Sequence, residues 1–375
     1  MSFAPSDAIF FLRHTGVGVS AYLFKKGCPH VWKKLSGCKP LREKRRSLMR
    51  IGIPKSLMYY KLFPLWQTFL QELGMEVITS GGAMRHIVKR GVPFYEDSCL
   101  PLKLLIPHSQ SLVGKVDALF LPRLISLERH YILCPKFRGA PDVLRLAIKD
   151  KLDIWDGIVD LRQGNKGLEN FVRYMADKTG SNPRQVRRAY RRGEERYHTF
   201  NRELTARING LHTEEIFDLE TPSPVAGTDR HPFTVAFIGR SYNLFDSFIN
   251  KDLLALVKGM GINVVTSLAI PPHERERRIS RLSKEIYWET AREIVGSILY
   301  LTEHTIADGL VFVTSFKCGI DALMQELLKR KIRTNTIKRI PFMTLTFDEH
   351  TTVEGLKTRL EAFLDLIAQR KIHAG

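Results

Sequence analysis

A strand–helix–strand pattern occurs twice along this chain of 375 residues. Each copy has an apolar strand, a helix, a second strand that opens with glycine and a third apolar strand. The segments are 51–56, 65–73, 74–80 and 117–122 in the first copy, and 235–241, 252–257, 261–267 and 308–313 in the second. Glycine before a strand is typical of a helix end, because it tolerates the left-handed conformation. All strand–helix–strand units share this order of elements, so the pattern predicts the fold class whether or not the two copies are related.

Short apolar strands that alternate with helices predict parallel sheets with helices on both faces. At roughly 150 residues per domain, the chain is long enough for two cores. We therefore predict an α/β protein with two doubly wound lobes of the Rossmann or flavodoxin-like type, at 49–160 and 230–375. A mostly helical connector at 161–229 joins them, and a basic extension at 1–48, flexible or added by an upstream start, precedes them.

The formal net charge is +19, and the cationic residues are concentrated in two places. One is the extension, and the other is an arginine-rich helix whose arginines recur every three to four residues: Arg184, Arg187, Arg188, Arg191, Arg192 and Arg196. One interpretation is a surface that binds nucleic acid or the phosphates of a nucleotide or coenzyme A. The alternative is a solvated helix that neighbouring glutamates neutralise. Because no known nucleic-acid-binding module accompanies the charge, we favour the solvated helix and do not expect nucleic acid as a partner.

The sequence contains no run of about 18 apolar residues, so we expect no membrane span. The apolar stretch at 8–12 is interrupted at Arg13 and has no cleavage site behind it, which argues against a secretory signal. Five cysteines, an odd number, do not suggest a disulfide framework. We therefore predict a cytoplasmic protein. Cys28 and Cys38 in the extension have no ligand spacing.

Two of the other three cysteines are predicted to lie where ligands gather in open α/β sheets, near the carboxyl ends of strands. Cys134 is predicted to follow the third strand of the first lobe and Cys318 the equivalent strand of the second, whereas Cys99 precedes a predicted helix start at 100–105. The N–H groups of a helix start stabilise a thiolate. Three thiolates can hold a 4Fe–4S cluster with one open iron, or a zinc ion with one open position. The alternative is three buried, inert cysteines.

Several segments resemble a bacterial family, namely 49–60, the segment around Cys99, 134–142, 318–322 and 348–351. The family is the uncharacterised domain found alone or fused to CoA enzyme activases. It is related to the subunits of 2-hydroxyacyl-CoA dehydratase and benzoyl-CoA reductase. The resemblance covers about 50–370 and implies that Cys99, Cys134 and Cys318 match the cluster-binding cysteines of the family. One departure is Ile320, which stands where the family has a proline that would fix φ in the turn.

The resemblance also implies a chemistry and a partner. In the related dehydratases, an ATP-hydrolysing activase delivers one low-potential electron, which reaches the thioester carbonyl of a 2-hydroxyacyl-CoA and leads to loss of the hydroxyl group. This chain contains neither G-x-G-x-x-G nor G-x-x-x-x-G-K-[ST], so we do not expect it to hydrolyse ATP itself. An activase partner and an acyl-CoA ligand follow from the resemblance alone.

Polar residues also follow the strand predicted at 342–346. Asp348, Glu349 and His350 would lie at the edge of the cleft between the lobes. They would transfer protons or orient a cluster ligand, because histidine titrates near neutrality. Alternatively, Asp348 or Thr351 caps the next helix.

Lys55 and Arg240 each follow the first strand of a lobe, a position where phosphate often docks. We therefore predict them as phosphate contacts, without a glycine-rich phosphate loop.

Taken together, these features predict a 4Fe–4S protein of the 2-hydroxyacyl-CoA dehydratase-like type, with the cluster site in the cleft between the lobes. It would act as a lyase or reductase component, as an electron relay or as an accessory protein. The alternative function is a non-enzymatic basic protein that binds a polyanion or a protein partner. Either a homo-oligomer or a hetero-oligomer is compatible with this sequence.

Overall fold

The computed structural model of the chain describes residues 48–81, 97–148, 151–208, 233–334 and 340–374. Residues 48–375 form one compact unit. The predicted extension, with Cys28 and Cys38, lies outside the described residues apart from Leu48. Within the described ranges, no helix is both long and apolar enough to cross a membrane.

The first lobe begins at the predicted opening strand. Its elements are β1 (Arg50–Ile53), α1 (Tyr59–Glu72), β2 (Glu76–Thr79), α2 (Leu100–Gln110), β3 (Ala118–Phe120), β4 (Arg123–Ser126), α3 (Pro135–Ile148), β5 (Asp153–Trp155) and β6 (Ile158–Asp160). Two long helices then follow a short 3-10 turn: α4 (Asn165–Thr179) and α5 (Pro183–Ile208). Helix α5 contains the predicted arginine-rich helix.

The second lobe follows the same plan with more short helices. Its elements are β7 (Thr234–Gly239), α6 (Ser241–Phe245), α7 (Ser247–Asn250), α8 (Leu253–Gly259), β8 (Asn263–Thr266), α9 (Pro272–Ile279), α10 (Glu289–Glu303), β9 (Gly309–Ser315), α11 (Gly319–Arg333), β10 (Phe342–Phe347) and α12 (Val353–Ala374).

Each lobe has a four-stranded parallel sheet, and the two sheets have the same strand order. The order is β2-β1-β3-β5 in the first lobe and β8-β7-β9-β10 in the second. Counted within each sheet, both orders are 2-1-3-4, which begins like the flavodoxin order. The predicted doubly wound parallel architecture is therefore confirmed. The first lobe adds a parallel pair, β4–β6, that the sequence pattern did not indicate.

The second sheet is buried on both faces, and the core cluster on one face continues into the core of the first lobe. Along β7, Val235 and Phe237 belong to a core cluster that also contains Phe69 and Phe120 of the first lobe. The alternate residue Ala236 belongs to a second cluster, together with residues of α10. This alternation is expected for a parallel strand covered on both sides. The two lobes therefore share an apolar core.

The arginine-rich helix packs closely on the first lobe. A Cβ atom placed on Gly193 would come within 2.6 Å of the backbone oxygen of Leu65 in α1, so glycine allows the two helices to approach. The ring of Tyr190 lies 6.3 Å from the ring of Trp66 and 6.2 Å from the ring of Phe69. The apolar side of α5 is thus anchored, and its arginines lie beside that contact.

Candidate functional site

Each of the three candidate cysteines stands at the start of a helix. Cys99 is the N-cap of α2, Cys318 is the N-cap of α11, and Cys134 directly precedes α3. The carbonyl oxygen of each cysteine accepts a hydrogen bond of 3.0 Å from a backbone N–H of the following turn. All three thiols are free and half-buried. The positive end of a helix dipole is therefore next to each cysteine.

The position of Cys134 differs from the prediction. The third strand of the first lobe ends at Phe120, and β4 lies between that strand and Cys134. The residues before Cys134 pair with the second lobe instead, through an isolated parallel bridge between Ile132 and Trp288. The backbone N–H of Ile132 donates a hydrogen bond of 3.2 Å to the backbone carbonyl oxygen of Tyr287. Cys134 therefore lies where the two lobes meet, whereas Cys318 follows the third strand of its own sheet as predicted.

Cys99 and Cys318 come from different lobes and interact electrostatically. Burial, together with the charges of Asp321 and Cys99 and against the lowering effect of Arg240, raises the pKa of the Cys318 thiol to about 12. Burial also raises the pKa of the Tyr242 hydroxyl, and both cysteines add to that increase. Tyr242, a residue that the sequence did not single out, is thus near both sulfurs.

Tyr242 also connects these two cysteines with the helix of the third. Its ring centroid lies 6.4 Å from that of Phe137, which is three residues beyond Cys134. In the parts of the chain that the structure describes, no three His, Cys, Asp or Glu side chains are arranged to hold a single metal ion. The three cysteines thus border one region without forming a site for one ion.

A buried ion pair supports the start of α11. Asp321 accepts hydrogen bonds from Arg240 Nε at 3.0 Å and Nη2 at 2.7 Å, and from Thr314 Oγ1 at 2.9 Å. The guanidinium also donates to Thr290 Oγ1. The Arg240 side chain is 2% exposed and that of Asp321 is 0% exposed. Because these contacts engage the guanidinium, we assign Arg240 to positioning the Cys318 helix and do not assign it a phosphate.

The loop after β1 supports the start of α2 in a comparable way. The Ser56 hydroxyl donates to the carbonyl oxygen of Pro101 at 2.8 Å, two residues beyond Cys99. The backbone N–H of Lys55 donates to Ser80 Oγ at 2.8 Å, and that hydroxyl also contacts His108 Nδ1 at 2.8 Å. Burial, with a smaller effect of Lys55, lowers the pKa of His108 to about 4. The suggestion that Lys55 contacts a phosphate stays a prediction.

The three polar residues after β10 have separate surroundings. Asp348 Oδ1 accepts hydrogen bonds from the N–H of His350 at 2.9 Å and from Thr351 Oγ1 at 2.8 Å, so it stabilises the turn. Glu349 forms an ion pair with Lys103, whose side chain is 6% exposed. Since Lys103 belongs to α2, Glu349 links the Cys99 helix to the second lobe. His350 is exposed.

Half of the arginines predicted on one helix face form ion pairs with glutamates. Arg187 pairs with Glu169 at 2.7 Å, Arg192 with Glu195 at 3.1 Å and Arg196 with Glu203 at 3.4 Å. This partial neutralisation supports the solvated-helix interpretation more than a polyanion-binding surface.

Solved structures offer only weak likenesses. They include an FpvC mutant from Pseudomonas aeruginosa at 12% identity, covering 86% of this chain and 100% of that chain, with a TM-score of 0.25. ZnuA has 11% identity, with 80% of this chain and 91% of the ZnuA chain covered, and a TM-score of 0.25. The laminin-binding protein Lbp of Streptococcus pyogenes has 9% identity, coverage of 86% and 98%, and a TM-score of 0.23. TM-scores this low carry no argument about fold or function.

A search of curated proteins finds no significant match. A family profile, in contrast, matches residues 50–270, which include the first lobe, two of the three candidate cysteines and the first two strands of the second sheet. This is more than half of the chain. The protein therefore belongs to the family described as the CoA enzyme activase uncharacterised domain (DUF2229).

Proposed function

We propose that the protein is an iron–sulfur protein that binds a 4Fe–4S cluster through Cys99, Cys134 and Cys318 and works with an ATP-dependent activase. The observation that carries this proposal is that all three cysteines stand at helix starts, with Tyr242 near Cys99 and Cys318 and its ring 6.4 Å from that of Phe137 in the Cys134 helix. Membership of a CoA enzyme activase-associated family supports the choice of partner.

We propose a cluster rather than a zinc ion at these three cysteines. A cubane binds each thiolate through a different iron, so its ligands lie farther apart than those of a single ion. Three free, half-buried cysteines would supply the three thiolates of such a cluster. A cluster bound there would supply one-electron chemistry, with one iron that lacks a cysteine ligand.

The chain's own residues would hold the three thiolates in place. Helix N–H groups would help to hold an anionic sulfur at each helix start, against the burial that raises the pKa of the Cys318 thiol. The Arg240–Asp321 pair fixes the first turn of the Cys318 helix. The Lys103–Glu349 pair fixes the Cys99 helix against the second lobe. Such supporting contacts around a metal centre orient its ligands.

The partner and the substrate belong to the same proposal. A separate activase would be the ATP-dependent electron donor, because this chain has no phosphate-binding loop of the usual types. The substrate would be a CoA thioester of the 2-hydroxyacyl class, with the protein as a lyase or reductase component, a relay or an accessory protein.

Serine substitutions test the ligand assignment. We expect Cys99→Ser, Cys134→Ser and Cys318→Ser each to retain much less iron after anaerobic reconstitution, because a hydroxyl is a poor ligand for iron in such clusters. Cys28→Ser and Cys38→Ser are matched controls and should retain the iron of the unsubstituted chain. Circular dichroism verifies that each variant is folded. Full iron content in the variant that lacks all three proposed ligands would refute the assignment.

A further inference from the structure

A cavity of about 590 Å³ lies between the end of the β4 strand, the start of α4 and the arginine-rich helix. None of the three candidate cysteines lines it. Its volume is within the range of about 300–1,000 Å³ that is usual for small-molecule sites. Its charged lining is balanced in number between arginines and glutamates: Arg129, Arg187, Arg191, Glu128, Glu169 and Glu194.

Only one of these arginines is engaged by a glutamate. Both carboxylate oxygens of Glu169 accept hydrogen bonds of 2.7 Å from Arg187 Nη2. Arg129 and Arg191 are exposed and have no ion pair or side-chain hydrogen bond within the described residues, although Arg191 attracts Glu194 electrostatically and lowers the pKa of that carboxyl. A guanidinium offers five N–H donors in a planar fork that matches a carboxylate or a phosphate. Two such groups therefore face the cavity with free donors.

The backbone beside Arg129 has a conformation that favours glycine. Gly164 adopts a φ of 57°, which a residue with a side chain rarely adopts. A Cβ atom at this position would lie 3.6 Å from Arg129 Nη2. Gly164 also provides no side-chain oxygen to cap α4, so an oxyanion held by Arg129 would lie near the positive end of that helix.

The acidic residues limit the ligand's charge. Glu128 and Glu194 line the same cavity and would repel a second anionic group. We propose that this cavity binds a small molecule that carries a single oxyanion group, a phosphate or a carboxylate, at Arg129 and Arg191. This site is separate from the cysteines and does not depend on the proposed cluster.

Direct binding to the full-length chain tests the proposal, with inorganic phosphate, phosphoethanolamine and acetate as probes at constant ionic strength. Calorimetric titration should show saturable binding of at least one probe, and the preferred probe distinguishes phosphate from carboxylate. Arg129→Gln and Arg191→Gln should each raise the dissociation constant of the probe by about tenfold or more, since each removes charged hydrogen bonds.

Arg188→Gln is the matched control, because Arg188 is exposed on the same helix and does not line the cavity. It should bind the probes like the unsubstituted chain. The proposal is overturned if no probe binds saturably at millimolar concentration. It is equally overturned if Arg188→Gln loses as much affinity as the two cavity variants, since the effect would then come from general helix charge.

Discussion

At the scale of single residues, the ion pair of Arg240 and Asp321 is the strongest support of the proposed site. Arg240→Met leaves the carboxylate of Asp321 buried and uncompensated, so we expect the free energy of unfolding to fall by about 3–5 kcal/mol. Adding Asp321→Asn to this variant removes that charge. The double variant should therefore lose less stability than the sum of the losses in the two single variants. Urea denaturation of all four proteins measures the coupling. Additive losses would show that the pair does not interact.

Lys317 adopts a left-handed backbone conformation, with a φ of 64°, directly before Cys318. Because this conformation costs a residue with a side chain about 1 kcal/mol, Lys317→Gly should stabilise the fold by a similar amount. Lys317→Ala loses the same side chain, including its 3.4 Å contact with Asp97, but keeps the strained backbone. In chemical denaturation, Lys317→Ala should therefore show no such gain in stability. Equal stability of the two variants would argue against strain in this turn.

The sequence indicated the positions of these residues but not their partners. Arg240 could be placed after a strand, and that position suggested a phosphate. Its pairing with Asp321 joins residues 81 positions apart, which no local pattern reveals. The same holds for Tyr242, whose proximity to two cysteines arises only when the lobes pack.

At the scale of elements, Glu289 joins the first turn of α10 to the first lobe. Its Oε2 accepts a hydrogen bond of 3.0 Å from the N–H of Leu127. Burial, together with Glu128 and Glu293 and against the lowering effect of Lys61, raises the pKa of Glu289 from 4.5 to about 7. Because the raised value favours the protonated folded state, the stabilisation is complete below pH 4.5 and is lost as the pH rises through about 7.

Glu289→Gln therefore gives a pH-dependent prediction. The amide keeps an acceptor for Leu127 and removes the buried charge, so the variant should be more stable than the unsubstituted chain above pH 7, by up to roughly 3 kcal/mol. The difference should shrink as the pH falls toward 5. Denaturation at several pH values measures it, and a difference that does not change with pH would contradict this interpretation of Glu289. The difference between the free energies of unfolding of the two proteins cancels the contribution of Asp246, whose pKa is raised by burial to about 6.

At the scale of the whole molecule, the repeated sequence pattern predicted both parallel sheets because each strand–helix–strand unit is locally encoded. The β4–β6 pair and the bridge before Cys134 were not predicted, since they depend on pairing between segments that are distant in the sequence. The shared core also follows from lobe packing rather than from local periodicity. For the same reason, the sequence could nominate three cysteines but could not place them around one region.

The presence of a cluster is the central claim for the whole molecule. Anaerobic purification of the full chain, with iron and acid-labile sulfide counts and a visible spectrum, tests it most directly. We predict about four irons and four sulfides per chain, with broad absorption near roughly 400 nm. A colourless protein that stays free of iron after anaerobic reconstitution would contradict the account.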